Sequence, residues 1–265
     1  MTLLSIIVIS HRHERDVVAC LDSLTVPLND IAHELIVIDN VADPDFERDI
    51  GGMRPSLRIL RNKAPQGFAA NVNKGAAAAS GTYLLILNPD TVFAAGGFQS
   101  ALDFLVTHPQ AALLGARLLN PGGAVQQSAR RFPTAMFLLL RGLGADNWKR
   151  VPRQYAERLL DDPAPKAPQK VDWLFGAFML MPRKAFDSVG GMDEGYRLYY
   201  EDVDLCLRLR RKGYEMWLYP PLVFVHSHRR ESAKAIFSRV RLWHLKSAIR
   251  YFWRSSSFFG PPDFD

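Results

Sequence analysis

Cysteine is scarce: Cys20 and Cys206 are the only two in 265 residues, and neither stands at a spacing that binds metal. This excludes a disulfide scaffold or a thiolate metal site and predicts two reduced core residues of a cytoplasmic protein. Long apolar runs are missing as well. The longest, "AMFLLL" (Ala135 to Leu140), falls far short of the roughly 20 residues that a membrane-spanning helix needs. "MTLLSIIVIS" has no basic stretch ahead of its apolar run, so no secretion signal is expected. Neither a GxGxxG nor a Walker glycine pattern occurs, which removes direct support for a dehydrogenase or an NTPase. Between Ser232 and Ser255 there is no acid, although Lys234, Arg239, Arg241, Lys246, Arg250 and Arg254 all lie there. That stretch carries as much positive charge as the +6 of the whole chain. Its interleaving with Ile236, Phe237, Trp243, Leu245, Ile249 and Trp253 suits an amphipathic helix on an anionic membrane surface at least as well as nucleic acid.

What is present is a globular composition, 48% hydrophobic and 23% charged. "LLSIIVIS", "HELIVIDN", "LRILRN" and "TYLLILNPD" are nearly continuous aliphatic runs that end on polar residues, as parallel strands buried on both faces do. "RDVVACLDSL" and "GFAANVNKGAAAAS" have helical spacing, and another helix is expected from about Gly97 to Val106. Strand and helix alternating in this way predict a parallel sheet with helices on both faces, and ligands at the strands' carboxyl ends. Ser10, His11, Asp39, Asn40, Asn88 and Asp90 then share one edge. Further on, Arg141 to Lys170 is rich in proline and charge and reads as a mobile loop or lid. "VDWLFGAFMLMPRKAF" reads as a strand leading to a helix, with Gly176 marking a close backbone approach. "DVDLCLRLRRKG" is a helix ended by Gly213, and "YEMWLYPPLVFVHSH" a strand broken by Pro220 and Pro221.

Asn88 and Asp90 at a strand end suit a divalent cation with oxygen ligands that itself holds a diphosphate, and suit an ordinary turn about equally. Gly67 opens a helix whose first amides could face an anion, or simply makes a tight turn. His226 and His228 lie two apart at the end of a strand, on one side, where either imidazole could bind metal or serve structure. In "YYEDVDLCLRLRRKGYE", Glu201, Asp202 and Asp204 crowd one helix start. A helix dipole stabilises one such acid by about 0.3 to 1 kcal/mol, but three together need another reason. A general base is one, since an alcohol attacks poorly unaided near neutral pH.

In order, "SIIVIS", "LIVIDN", "QGFAANVNKG", "LLILNPDT", "VDWLFGAFMLMPRKAFDSVGGMDEGYRLYYEDVDLCLRLRRKGYEMWLYP" and "VFVHSH" resemble family 2 glycosyltransferases, most of all the bacterial rhamnosyltransferase-type branch. The resemblance covers about residues 3 to 232 and is most specific from Trp173 to Asp204. It implies the GT-A fold, a Rossmann-like, mostly parallel α/β sheet with helices on both faces, here followed by an amphipathic C-terminal tail. Residues 1–232 would be the transferase domain, 1–110 binding the nucleotide sugar and 111–232 the acceptor, and residues 233–265 the tail. It further implies an inverting transfer of a sugar, L-rhamnose from dTDP-rhamnose above others, to a saccharide or lipid-linked hydroxyl in cell-surface polysaccharide synthesis. Ser10 and Asp39 would bind base and ribose, with Gly67, Phe68 and Asn71 closing over them. Asn88 to Asp90 stands at the family's DxD motif, with Asp90 and His226 on Mg²⁺ or Mn²⁺. Gly176 and Ala177 would flank the sugar, Asp202 would be the base, and Glu201 would contact a sugar. Asp204 is assigned to capping or a surface pair. Two positions depart from the family: Asn88 replaces the first acid of DxD, and His11–Arg12 replaces Tyr-Asn. The expected partners are a nucleotide-diphospho-sugar, the acceptor and a membrane surface at residues 234–254, with no nucleic acid, at the inner face of the cytoplasmic membrane. A nucleotidyltransferase and a scaffold using the basic tail are the competing readings.

Overall fold

The computed structural model describes residues 2–50, 57–145, 165–227 and 239–256, together with residues 150, 152 and 262. The aliphatic runs form the sheet's centre. Strands β1 (Leu4–Ser10), β2 (His33–Asp39), β3 (Leu57–Arg61) and β4 (Tyr83–Leu87) pair in parallel, in the order β3-β2-β1-β4. Alternation explains why β1, β2 and β4 are mostly apolar, whereas β3 at the sheet edge carries the exposed Arg58 and Arg61. Ile7, Ile9, Ile36, Ile38, Leu84 and Ile86 face one core, while Leu4, Ile6, Val8, Leu35, Val37, Leu85 and Leu87 face the other. Helices α1 (Glu14–Leu24), α2 (Phe46–Asp49) and α3 (Phe68–Ala78) connect these strands. On the first core lie Ala69, Val72 and Ala76 of α3; on the second lie Val17, Cys20 and Leu21 of α1. Both cysteines are free and buried.

The short β5 (Thr91–Ala95) follows β4 directly, and α4 (Phe98–Thr107) and β6 (Ala111–Leu119) come next. Then come β7 (Val125–Gln126), β8 (Ala129–Arg130), α5 (Ala135–Gly142), β9 (Gln169–Val171), β10 (Trp173–Leu174), β11 (Phe178–Pro182) and α6 (Arg183–Ser188). The chain continues through α7 (Glu201–Arg211), β12 (Glu215–His226) and α8 (Arg239–Ser255). Sheet order runs on from β4 through β11, β6 and β12 to β5. β11 is antiparallel to β4 and β6, so the sheet is parallel in its first half and mixed beyond it. The apolar run expected as one strand is three pieces, β9, β10 and β11, because β10 leaves the main sheet to pair with β8.

Pro220 and Pro221 do not break β12. The strand crosses them with a register shift between Tyr219 and Val223, a bulge that accommodates residues without a backbone donor. Gly96, at φ +104°, makes room for it: a Cβ there would lie 2.1 Å from the Pro221 carbonyl oxygen. Most of the expected lid from Arg141 to Lys170 lies outside the described residues, as does His228.

Candidate active site

Two register facts build the site. Phe178 pairs with Leu87 across β11 and β4, and the Asn88 N–H donates to the Ala177 carbonyl at 3.0 Å, so Gly176 and Ala177 adjoin Asn88 to Asp90. His226 pairs with Thr91 across β12 and β5, which brings the end of β12 beside Asp90. Residues far apart in sequence meet at one edge through backbone pairing alone.

His226 Nε2 lies 3.3 Å from Asp90 Oδ1. Gln126 settles which histidine nitrogen carries a proton. Its Nε2 donates to the His226 carbonyl at 2.7 Å and to Asn120 Oδ1 at 2.6 Å, which turns Oε1 toward His226 Nδ1 at 2.9 Å. Oε1 only accepts, so Nδ1 carries the hydrogen. Nε2 therefore meets a carboxylate oxygen with its lone pair unless a proton or a cation lies between them. This donor set, one carboxylate and one imidazole oriented by a second residue, fits a divalent cation. Among the described residues no cluster of three or more His, Cys, Asp or Glu exists, so Asp90 and His226 are the ligands these residues offer there, and a diphosphate would supply others.

Asp202 stands on the far side of Gly176. Its Oδ2 accepts from the Gly176 N–H at 3.0 Å and its Oδ1 from the Val203 N–H at 2.9 Å. The side chain is only half-buried, open enough to meet a substrate. A Cβ on Gly176 would lie 3.4 Å from the Phe68 ring and 3.8 Å from Asp202 Oδ2, so Phe68, Gly176 and Asp202 border one space. Burial raises the Asp202 pKa above the ordinary carboxylate range, while the two N–H groups and the charge of Arg130 pull it down. Glu201 is only 6% exposed, and its Oε2 is buried without a hydrogen bond. Burial first, and then the charge of Asp202, push its pKa up to about 8. Burial thus favours the neutral form of both acids, and their mutual repulsion disfavours a second negative charge on the pair.

The turn ahead of these acids is strained. Tyr199 and Tyr200 both adopt left-handed backbone, at φ 66° and 67°, which costs non-glycine residues about 1 to 3 kcal/mol each. Tertiary packing holds it. Tyr200 lies against Tyr251 and Phe252 of α8, Tyr199 meets His244 edge-on, and Ser247 Oγ donates to the Leu198 carbonyl at 2.9 Å.

At the nucleotide end the structure rearranges two expectations. Asn71 is buried and does not face the cleft: its Oδ1 accepts from Asn62 at 2.6 Å and its Nδ2 donates to the Gly67 carbonyl at 2.9 Å. Asn62 also donates to Asn40 Oδ1, which accepts from the Gln66 N–H as well. These asparagines tie the ends of β2 and β3 to the Gly67 loop. Asn is poor inside helices, and here it is retained to satisfy backbone groups. Asp204 is likewise no surface residue. It is 2% exposed and pairs with Arg208 at 2.6 Å and with the Tyr196 hydroxyl at 3.2 Å. Ser10 is buried and accepts from the His13 N–H, and Asp39 accepts from the Val41 N–H while its Oδ2 has no hydrogen bond. Gly67 and Phe68 stay half-buried at the cleft. Sequence reasoning missed Gln126, the tyrosine turn and the Asn40–Asn62 bridge. "HELIVIDN" and "LRILRN" both ending on Asn was the one available signal.

The model of glycosyl transferase family 2 matches residues 5–190. The chain belongs to that family. It is a glycosyltransferase that uses a nucleotide sugar, and the nucleotidyltransferase and scaffold readings are not favoured. A second model, the N-terminal domain of galactosyltransferase, matches residues 162–231, which include both acids of the pair. The chain is 28% identical to the rhamnosyltransferase WbbL of Escherichia coli over 94% of this chain and 92% of that protein. It is 31% identical to the N-acetylglucosaminyl-diphospho-decaprenol L-rhamnosyltransferase of Mycobacterium tuberculosis, over 67% of this chain and 61% of that one. Its fold resembles GalNAc-T7, solved with UDP, GalNAc and Mn²⁺, at TM-score 0.67 and 15% identity, covering 95% of this chain but 49% of that one. A Pyrobaculum calidifontis mannosyltransferase solved with GDP-Man and Mn²⁺ gives TM-score 0.60 at 16% identity, over 98% of this chain and 65% of that one. The fold shared with both is GT-A.

Proposed function

We propose that this transferase moves L-rhamnose from dTDP-rhamnose, with inversion, to a hydroxyl of a lipid-linked saccharide. One observation carries the mechanism: a half-buried carboxylate, Asp202, is held by two backbone N–H groups, one of them from Gly176, whose neighbour Ala177 bonds Asn88 just ahead of Asp90. The nucleotide lies over Ser10, Asp39, Gly67 and Phe68, and the diphosphate reaches Asn88 to Asp90. Asp90 and His226 would hold a divalent cation, which would supply charge neutralisation for the diphosphate. Asp202 takes the proton of the acceptor hydroxyl as its oxygen bonds to the anomeric carbon. The base and the leaving group stand on opposite sides of the sugar, so the configuration inverts. Glu201, neutral near pH 7, keeps a second negative charge away from Asp202 and can donate a hydrogen bond to a sugar. The sugar and the acceptor are supported by the names of the relatives from Escherichia coli and Mycobacterium tuberculosis.

The test is a transfer assay with a panel of nucleotide sugars and polyprenyl-diphosphate-linked N-acetylglucosamine, run with and without Mn²⁺. The expected result is metal-dependent transfer from dTDP-rhamnose above all other donors, with an inverted product by NMR. Preference for another donor removes the rhamnose assignment, and a retained configuration removes the mechanism.

A further inference from the structure

Helix α8 has two faces with different occupants. Its inner face, with Ser247, Tyr251 and Ser255 buried, packs under the tyrosine turn that leads to Asp202. Two further ties hold it there: Arg250 and Arg254 both pair with Asp193, and Arg197 stacks over Trp243 at 4.5 Å. Its outer face is apolar and open. Leu242, Leu245, Ile249 and Trp253 are 60%, 57%, 59% and 80% exposed. At 100° per residue they fall within one arc of about 80°, opposite Ser247 and Tyr251. Exposed Lys246 lies on the border of this stripe. Core packing of the helix is complete without these four side chains, so burial in the protein does not explain them.

We propose that the outer face of α8 docks on the surface of an anionic lipid bilayer. The charge on the page selects this occupant: the stretch from Ser232 to Ser255 holds six basic residues and no acid, and although Arg250 and Arg254 pair with Asp193, Lys246 borders the stripe and Lys234, Arg239 and Arg241 precede it in the sequence, in a chain of net charge +6. An amphipathic helix with a leucine, isoleucine and tryptophan stripe bordered by lysine lies in the plane of the interface. Among the described residues no helix is long and apolar enough to cross a membrane. Because the same helix braces the turn before Asp202, docking also presents the base loop to an acceptor whose lipid lies in that bilayer. This second part rests on the lipid-linked acceptor proposed above, whereas the docking itself does not.

The experiment is co-sedimentation of the full chain with phosphatidylcholine vesicles and with phosphatidylcholine vesicles containing phosphatidylglycerol, at rising salt. It compares wild type with the triple variant Leu245→Glu, Ile249→Glu, Trp253→Glu and with Lys246→Glu. Wild type is expected to bind the anionic vesicles and to release as salt increases. Lys246→Glu should lower partitioning by about fivefold or more, as one basic residue near an anionic surface is worth roughly 1 kcal/mol. The triple variant should stay in the supernatant with an unchanged melting temperature, because all three positions face outward. Wild type that fails to bind anionic vesicles at low salt, or a triple variant that binds as wild type does, overturns the proposal. So does a wild-type dimer by light scattering that the triple variant splits, since the stripe would then cover a second copy. Vesicle binding needs neither donor nor acceptor, so it stands or falls apart from the rhamnose assignment.

Discussion

Asp202 and Glu201 are neighbours that differ in exposure. Asp202 is half-buried with an N–H on each carboxylate oxygen, while Glu201 is buried, with backbone N–H groups on one oxygen and none on Oε2. The Asp202→Asn change keeps size but only one of the two hydrogen bonds, since its NH₂ cannot accept from an N–H, and it cannot accept a proton. Loss of a general base costs about 10² to 10⁴ in rate, so transfer should collapse while nucleotide binding by calorimetry is retained. Near wild-type turnover would remove Asp202 from its role. For Glu201 the sign follows from its pKa, raised from 4.5 to about 8. The folded chain binds that proton more tightly than the unfolded chain, so stability falls as pH rises from 4.5 to about 8. Glu201→Gln removes this dependence. Its melting temperature relative to wild type should therefore climb between pH 5 and pH 8.5, and parallel curves would contradict the assignment. Asp204→Asn should cost about 1 to 3 kcal/mol in urea unfolding by weakening the buried Arg208 pair.

At the scale of elements, the Gly67 loop and the Arg197 segment are in backbone contact. Gly67 has ordinary φ, so its glycine is a matter of space: a Cβ would lie 2.9 Å from the Arg197 carbonyl oxygen. Gly67→Ala should force loop and segment apart, weakening nucleotide binding several-fold with the sheet intact, as read by titration calorimetry. The tyrosine turn depends on α8 in the same way. Tyr251 is fully buried against Tyr200, and Tyr251→Ala should cost about 3 to 5 kcal/mol as a core aromatic deletion. It should also lower kcat, because the turn that carries Asp202 loses its support. Stability loss without any change in kcat would make α8 a passive cover.

Across the whole molecule, one sheet gathers the cleft from four strand ends. Asp90 and His226 come from opposite halves of the chain and meet because β5 pairs with β12. Asp90→Ala should abolish the extra melting-temperature shift that Mn²⁺ adds to nucleoside diphosphate, leaving the unliganded melting temperature nearly unchanged. A wild-type shift would place the cation elsewhere.

The sequence by itself determined the four parallel strands: β1, β2 and β4 read as nearly continuous aliphatic runs because they are buried on both faces, and β3, at the sheet edge, as a shorter apolar run interrupted by arginine. It also determined which polar residues stand at the strand ends, and so the residues from which a site could be drawn. Tertiary structure decided how they divide the work. Asn71 reads as a cleft residue in its motif, yet pairing with Asn62 at the end of β3 turns it inward. Asp204 reads as a cap or a surface pair at its helical angle, and it does pair with Arg208, but buried and beside the Tyr196 hydroxyl. The continuity of β12 across two prolines depends on Gly96, more than a hundred residues away, and the tyrosine turn depends on α8. No local propensity records such partners, because each costs free energy locally and is stabilised only by contacts that form once the chain has folded.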